Sequence, residues 1–196
     1  MKKIIPILCL FFFSLSSINA QKTGLEFSFS VLDLIYACFN EQSPNNFVGF
    51  SVGAVADFPL SENTSIEPEL LFYQKRGVYS KKILEDFYSI SYINIPVHFI
   101  GKIPFNDWFT YIKAGPFISY GIGAKEYIGD SSYRVKLHDK ESDLKDIDVG
   151  ISFGVGMGVD QIYFGVLYQK GFLDISNITS RTTKTRVLSI SLDYLF

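Results

Sequence analysis

The last eleven residues, Arg186-Val187-Leu188-Ser189-Ile190-Ser191-Leu192-Asp193-Tyr194-Leu195-Phe196, constrain the chain more than any other stretch. Read in steps of two from the end, Phe196, Tyr194, Leu192, Ile190 and Leu188 form an unbroken apolar stripe. The interleaved set, Leu195, Asp193, Ser191, Ser189 and Val187, is small and polar apart from its two ends. Successive side chains of a strand point to opposite faces. A period-two pattern of this length therefore predicts a strand with one face in an apolar medium.

Seven earlier segments carry the same alternation and predict strands over 23–33, 47–57, 65–74, 88–100, 108–120, 147–159 and 162–171. The segment 147–159 is the clearest. Ile147, Val149, Ile151, Phe153, Val155, Met157 and Val159 alternate with Asp148, Gly150, Ser152, Gly154, Gly156 and Gly158. About ten residues rising roughly 3.3 Å each at a tilt of about 40° reach a height of about 25 Å, the apolar band of an outer-membrane barrel. The connections alternate in length. Leu34–Asn46, Lys75–Phe87, Gly121–Asp146 and Phe172–Thr185 are long, whereas Phe58–Thr64, Gly101–Asp107 and Asp160-Gln161 are short. Antiparallel neighbours need only tight turns, so four long loops on one side serve something other than closure.

These features predict an all-β fold, an eight-stranded antiparallel up-and-down transmembrane β-barrel. A secreted soluble barrel would alternate in the same way with its apolar side chains inward. The second face of the strands argues against it: Gly150, Ser152, Gly154, Gly156 and Gly158 have little to offer water and suit a crowded interior. Tyr88, Tyr92, Trp108, Phe109, Tyr111, Tyr120, Tyr163, Tyr168, Tyr194 and Phe196 fall near strand ends, where aromatic side chains form membrane-interface belts.

The amino terminus points to export. Met1-Lys2-Lys3 is basic, Ile4 to Leu15 is apolar, and Ser16-Ser17-Ile18-Asn19-Ala20 is a small-residue exit. This reads as a signal peptide over 1–20, leaving 21–196 as the barrel domain. The apolar run is shorter than the roughly 20 residues of a membrane-spanning helix. Without Lys2 and Lys3 the chain carries sixteen basic against twenty acidic side chains, so no basic surplus exists to hold nucleic acid. Cys38 is then the sole cysteine, which excludes an internal disulfide and a multi-thiolate metal site. With eight strands and short turns on one side, both termini face the periplasm of a Gram-negative envelope, and the outer-membrane bilayer is the first partner.

Several segments, in order, resemble the PorT-like family of small outer-membrane barrel proteins. They are Gly49-Phe50-Ser51-Val52-Gly53, Asp57-Phe58-Pro59-Leu60-Ser61, Glu67-Pro68-Glu69-Leu70-Leu71-Phe72, Tyr92-Ile93-Asn94-Ile95-Pro96 and Ala114-Gly115-Pro116-Phe117, with Asp148-Val149-Gly150 and the ending Asp193-Tyr194-Leu195-Phe196. Asn94 departs from the family, which commonly carries a glutamate there. The resemblance implies the barrel fold and outer-membrane location. It also implies that Leu188, Ile190, Leu192, Tyr194 and Phe196 form a C-terminal signal read by the barrel-assembly machinery. The member that gives the family its name takes part in protein secretion across the outer membrane.

Glu67, Glu69, Asn94, His98, Lys113, Asp148, Gln169 and Asp193 fall on positions predicted to face the lumen. Charges in a narrow interior must be paired or hydrated, so these eight are read as a polar network, with Lys113 held by Glu67, Glu69 or Asp148. A conduction path or proton-linked gate is the competing reading, although eight strands leave room for side chains and little else. His98 shows no serine or carboxylate at a known catalytic spacing. His138 falls in the longest loop. In that loop Asp139, Glu141 and Asp143 have the alternate spacing of a calcium loop, but Leu144 stands where the turn needs glycine and Gly150 where the bidentate glutamate belongs. No nucleophile elbow, phosphate loop, zinc signature or dinucleotide fingerprint is present. The expected role is non-enzymatic and without cofactor: envelope structure, or recognition through the long loops, with an envelope protein as an additional partner. A secretion-apparatus component or small pore, and a lipid-modifying barrel enzyme, are the alternatives.

Overall fold

A computed structural model describes residues 22–37, 45–78, 87–128, 131–135, 145–173 and 182–196. The predicted signal segment, Cys38, His138 and the calcium-like residues Asp139, Glu141, Asp143 and Leu144 lie outside the described residues. The strands are β1 (Lys22–Ala37), β2 (Asn45–Ser61), β3 (Thr64–Val78), β4 (Phe87–Pro104), β5 (Phe109–Ile128), β6 (Ser131–Val135), β7 (Ile147–Val159), β8 (Ile162–Gly171) and β9 (Thr182–Leu195).

Eight of them close a barrel. Each pairs antiparallel with its neighbour in the order β1-β2-β3-β4-β5-β7-β8-β9, and β9 returns to β1 with Phe27 opposite Leu192 and Ser28 opposite Ser191. Closure leaves no edge among these eight, which a lipid solvent requires because nothing in it can pair a bare backbone N–H. The chain ends seal the seam. Phe196 N donates to Thr23 O at 2.7 Å, and Leu195 N to Gln161 O at 2.8 Å.

β7 and β8 have the bounds expected from their alternation. β5 instead runs on to Ile128, and β6 pairs with its last turn, Tyr127 opposite Ser132, within a stretch expected to be loop. Twenty residues of β5 exceed the height of the apolar band, so its upper part is a ribbon beyond the barrel wall. The sequence hid this because strand outside the membrane need not alternate between lipid and lumen.

The outer surface is the apolar one. Along β9 and the Phe196 that follows it, Leu188, Ile190, Leu192, Tyr194 and Phe196 are 47–63% exposed, while Val187, Ser189, Ser191, Asp193 and Leu195 between them are buried. The turn from β7 to β8 is two residues long. Asp160 takes a left-handed conformation there (φ 51°), which aspartate tolerates better than most residues.

Facing β5, the β7 wall is nearly all glycine. Phe109 lies opposite Gly158, Tyr111 opposite Gly156, Lys113 opposite Gly154 and Phe117 opposite Gly150. A Cβ on Gly158 would lie 2.1 Å from the Phe109 ring, and one on Gly156 2.4 Å from the Tyr111 ring. Large side chains of β5 thus occupy the room that β7 leaves empty. The exception runs the other way: β5 has Gly115, and β7 answers with Ser152.

Candidate functional site: the barrel lumen

The lumen has three layers. The turn-side layer is a plug. Val55, Ile100, Tyr111, Tyr163 and Leu195 form one buried cluster, with Phe109 packed against it. The Phe109 ring meets Tyr163 edge-on at 5.0 Å. Lys102 Nζ caps the plug. It donates to Asp57 Oδ2 at 2.9 Å and to the Tyr163 hydroxyl at 3.2 Å, and lies 5.3 Å from the Tyr163 ring centre. Phe109, Tyr111 and Tyr163 were expected in the interface belt and are instead inside the barrel. An aromatic residue near a strand end suits either side of the wall, and strand phase decides which. Trp108, Tyr168, Tyr194 and Phe196 do face outward, with Trp108 stacked on Phe105 at 4.3 Å.

The middle layer is a belt of buried charge. Lys113 Nζ donates to Glu67 Oε1 at 3.4 Å and Glu69 Oε1 at 3.1 Å. Glu69 Oε1 also meets His98 Nδ1 at 2.8 Å, and His98 Nε2 meets Ser152 Oγ at 2.6 Å. Ser152 Oγ lies 3.0 Å from the Gly115 carbonyl oxygen. His98 on β4 reaches Ser152 on β7 by passing over β5 where β5 has no side chain. Glu26 and Asp193 are buried beside this cluster. On the opposite wall Ser28 and Ser51 hydroxyls are 2.5 Å apart. Glu26 and Ser152 belong to this belt but are absent from the eight expected positions. Both stand on the inward phase of their strands, and that phase is the signal that finds them.

The loop-side layer is a cleft. Asn94, Asp148 and Gln169 line it together with Tyr73, Phe117, Ser119 and Thr185. Ser119 Oγ donates to Asn94 Oδ1 at 2.7 Å, and the Thr185 hydroxyl donates to Asp148 Oδ2. The eight expected positions therefore divide. Glu67, Glu69, His98 and Lys113 are in mutual contact, Asp193 is near them, and Asn94, Asp148 and Gln169 lie a layer above.

Glu67, Glu69 and His98 offer ligand atoms within 4.8 Å of one another, a spacing open to a metal ion. The Lys113 ammonium already bridges the two carboxylates, and both His98 ring nitrogens are engaged. This donor set fits a hydrogen-bonded ion network rather than a metal.

Residues 19–177 match the family model described as outer membrane protein beta-barrel domain. The chain belongs to this family. It is an all-β outer-membrane barrel resident in the lipid bilayer. Among solved structures, the barrel is similar to Ail, the attachment invasion locus protein of Yersinia pestis (12% identity, 90% of this chain and 99% of that chain covered, TM-score 0.49). It is also similar to Neisserial surface protein A (11% identity, 89% and 97% covered, TM-score 0.49) and to the outer membrane enzyme PagL (10% identity, 86% and 98% covered, TM-score 0.47). No curated protein matches the chain.

Proposed function

We propose that this outer-membrane barrel is a non-enzymatic envelope protein whose lumen is blocked and whose loop side serves envelope structure or recognition. The carrying observation is the plug, in which Val55, Ile100, Tyr111, Tyr163 and Leu195 pack into one buried cluster on the turn side. Residues 1–20 are a cleaved signal peptide, both termini are periplasmic, and the loop side faces out. The stripe Leu188, Ile190, Leu192, Tyr194 and Phe196 is the segment read by the barrel-assembly machinery. The segments shared with the PorT-like family support that subfamily. Planar-bilayer recording is the test: the wild-type barrel shows no steady conductance, and a stable open level sinks the blocked-lumen reading. Co-purification from mild detergent then identifies an envelope partner. Unchanged export of a reporter protein on gene deletion separates this role from a secretion component.

One observation favours a second reading. The chain Glu69–His98–Ser152, at 2.8 and 2.6 Å, has the order of a carboxylate, a base and a nucleophile. Against it, all three residues are sealed in the lumen, and Glu69 is shared with Lys113. Ser152→Ala separates the readings: lipid A mass that differs between wild-type and Ser152→Ala cells supports an acyl-transfer enzyme, and identical mass removes it.

A further inference from the structure

We propose that Lys170 on β8, with Lys184 and Arg186 on β9, forms a site on the outer wall of the barrel for the phosphate of a lipid headgroup in the outer leaflet. The inference rests on the reading that the loop side faces out. All three side chains are exposed. Lys170 stands directly opposite Arg186 in the β8–β9 register, and Lys184 is two residues from Arg186, so the three share one face of the sheet. That face is the lipid-covered one. Toward the turn side its residues are Ile162, Phe164, Val166 and Tyr168 on β8, and on β9 the stripe from Leu188 to Phe196, all apolar and exposed.

Height places the cations at the headgroups. Arg186 is ten residues from Phe196. At roughly 3.3 Å per residue and a tilt of about 40°, the two are about 25 Å apart along the membrane normal, one thickness of the apolar band. With Phe196 at one boundary, Arg186 and its partner Lys170 lie at the other. Tyr168, opposite Leu188, marks that boundary as an interfacial aromatic.

Charge supplies the ligand class. Like charges directly opposite on paired strands repel, so Lys170 and Arg186 favour an anion between them. Asp33 stands opposite Arg186 on β1, which leaves three positive charges against one negative in this part of the register. Among the described residues none of the three cations forms an ion pair. A phosphate fits: its oxygens accept from the planar Arg186 fork, and the two ammonium groups add point charges. The apolar wall beneath selects a lipid over a free anion, because acyl chains hanging from that phosphate lie along Tyr168, Leu188 and Ile190.

The test is native mass spectrometry of the full barrel, released from detergent micelles, with lipid A and with the same lipid A stripped of its phosphates. The stripped lipid binds about tenfold more weakly. Lys170→Gln and Arg186→Gln each weaken binding of phosphorylated lipid A about fivefold, and the pair together about 25-fold. Lys22→Gln removes the same charge from the turn side and leaves binding unchanged. Inorganic phosphate displaces the lipid no better than sodium chloride of equal ionic strength, which separates a headgroup from free phosphate. Heat-modifiable gel mobility confirms that each variant is folded. The proposal is overturned if stripped lipid A binds equally, if the double variant binds as wild type does, if Lys22→Gln weakens binding as much, or if inorganic phosphate competes specifically. A membrane-impermeant maleimide on intact cells tests the orientation separately, in a Cys38→Ser background. Labelling of Lys125→Cys, on the ribbon of β5, supports a loop side that faces out. Labelling of Lys22→Cys instead removes that reading and leaves the phosphate site to stand at the opposite leaflet, whereas labelling of Lys125→Cys without phosphate-dependent binding overturns the site alone.

Discussion

The two ends of the lumen solve the same packing problem with opposite chemistry. On the turn side, aromatic and aliphatic groups fill the bore, and the polar groups that enter, Lys102 and Asp57, pair with each other. On the loop side, Asn94, Gln169 and Asp148 line a cleft partly open to solvent, and the buried Asn94 and Gln169 amide nitrogens find no acceptor among the described residues. The difference follows from what each end must do with water. A plug excludes it, so its filling is apolar, and a polar atom such as the Tyr111 hydroxyl that finds no partner among the described residues is a cost. A mouth admits it, so polar groups can stay unpaired by protein at little cost. Between them, the ion belt belongs energetically to the plug, because its buried charges are paired by protein, Lys113 with Glu67 and Glu69 and His98 with Glu69.

That assignment can be broken first at Lys113. Lys113→Met leaves Glu67 and Glu69 buried without the ammonium that bridges them, with His98 as the remaining basic partner of Glu69. The expected loss is about 4 kcal/mol, as for removing one member of a buried pair. Urea unfolding in detergent measures it. In a double-mutant cycle with Glu69→Gln the two losses should fall well short of additive, and additivity would show that the belt is wet, like the mouth.

The plug itself comes next. Tyr163→Ala removes a ring packed against Phe109 and Tyr111 and takes an acceptor from Lys102. A loss of about 3 kcal/mol is expected, with the cavity term dominant. The mouth should respond less to a comparable deletion of contact. Thr185→Val cuts the hydrogen bond to Asp148 but opens that carboxylate to cleft water, so about 1 kcal/mol is expected. If Thr185→Val costs as much as Tyr163→Ala, the two ends do not differ in hydration.

The sequence carries the wall of this barrel better than its filling. Alternation in 147–159 and 162–171 is uninterrupted, because every residue there faces either lipid or lumen, and those strand bounds follow from it. In β5 the alternation fades because Phe109, Tyr111 and Phe117 are apolar on the inner side as well. The plug could not be told from a belt for that reason. Tyr163 is instructive: its neighbours Ile162 and Phe164 already put it inward, and the preference of tyrosine for interfaces argued otherwise. The glycines of β7 signal a crowded interior, but what crowds them is set by register with β5, which no local pattern contains. His98 and Ser152, 54 residues apart, meet only because Gly115 leaves a gap in the strand between them.

The smallest expected effect tests the packing of the plug most finely. A Cβ on Gly165 would lie 2.4 Å from the Tyr111 hydroxyl oxygen, while its next neighbours stand at 3.4 Å, an ordinary contact. One atom therefore forbids alanine at this position. That same hydroxyl is buried and has no hydrogen-bond partner among the described residues. Tyr111→Phe deletes an unsatisfied polar atom from an apolar cluster, so it should leave stability unchanged or raise it by up to about 1 kcal/mol. Gly165→Ala alone should cost about 1 kcal/mol, the low end for overpacking, since the ring can shift only against Phe109 and Tyr163. In the Tyr111→Phe background the alanine should be nearly silent, giving a favourable coupling of about 1 kcal/mol in the double-mutant cycle. Equal costs of Gly165→Ala in both backgrounds would mean that the hydroxyl has water to move into, and that the turn-side end is not dry.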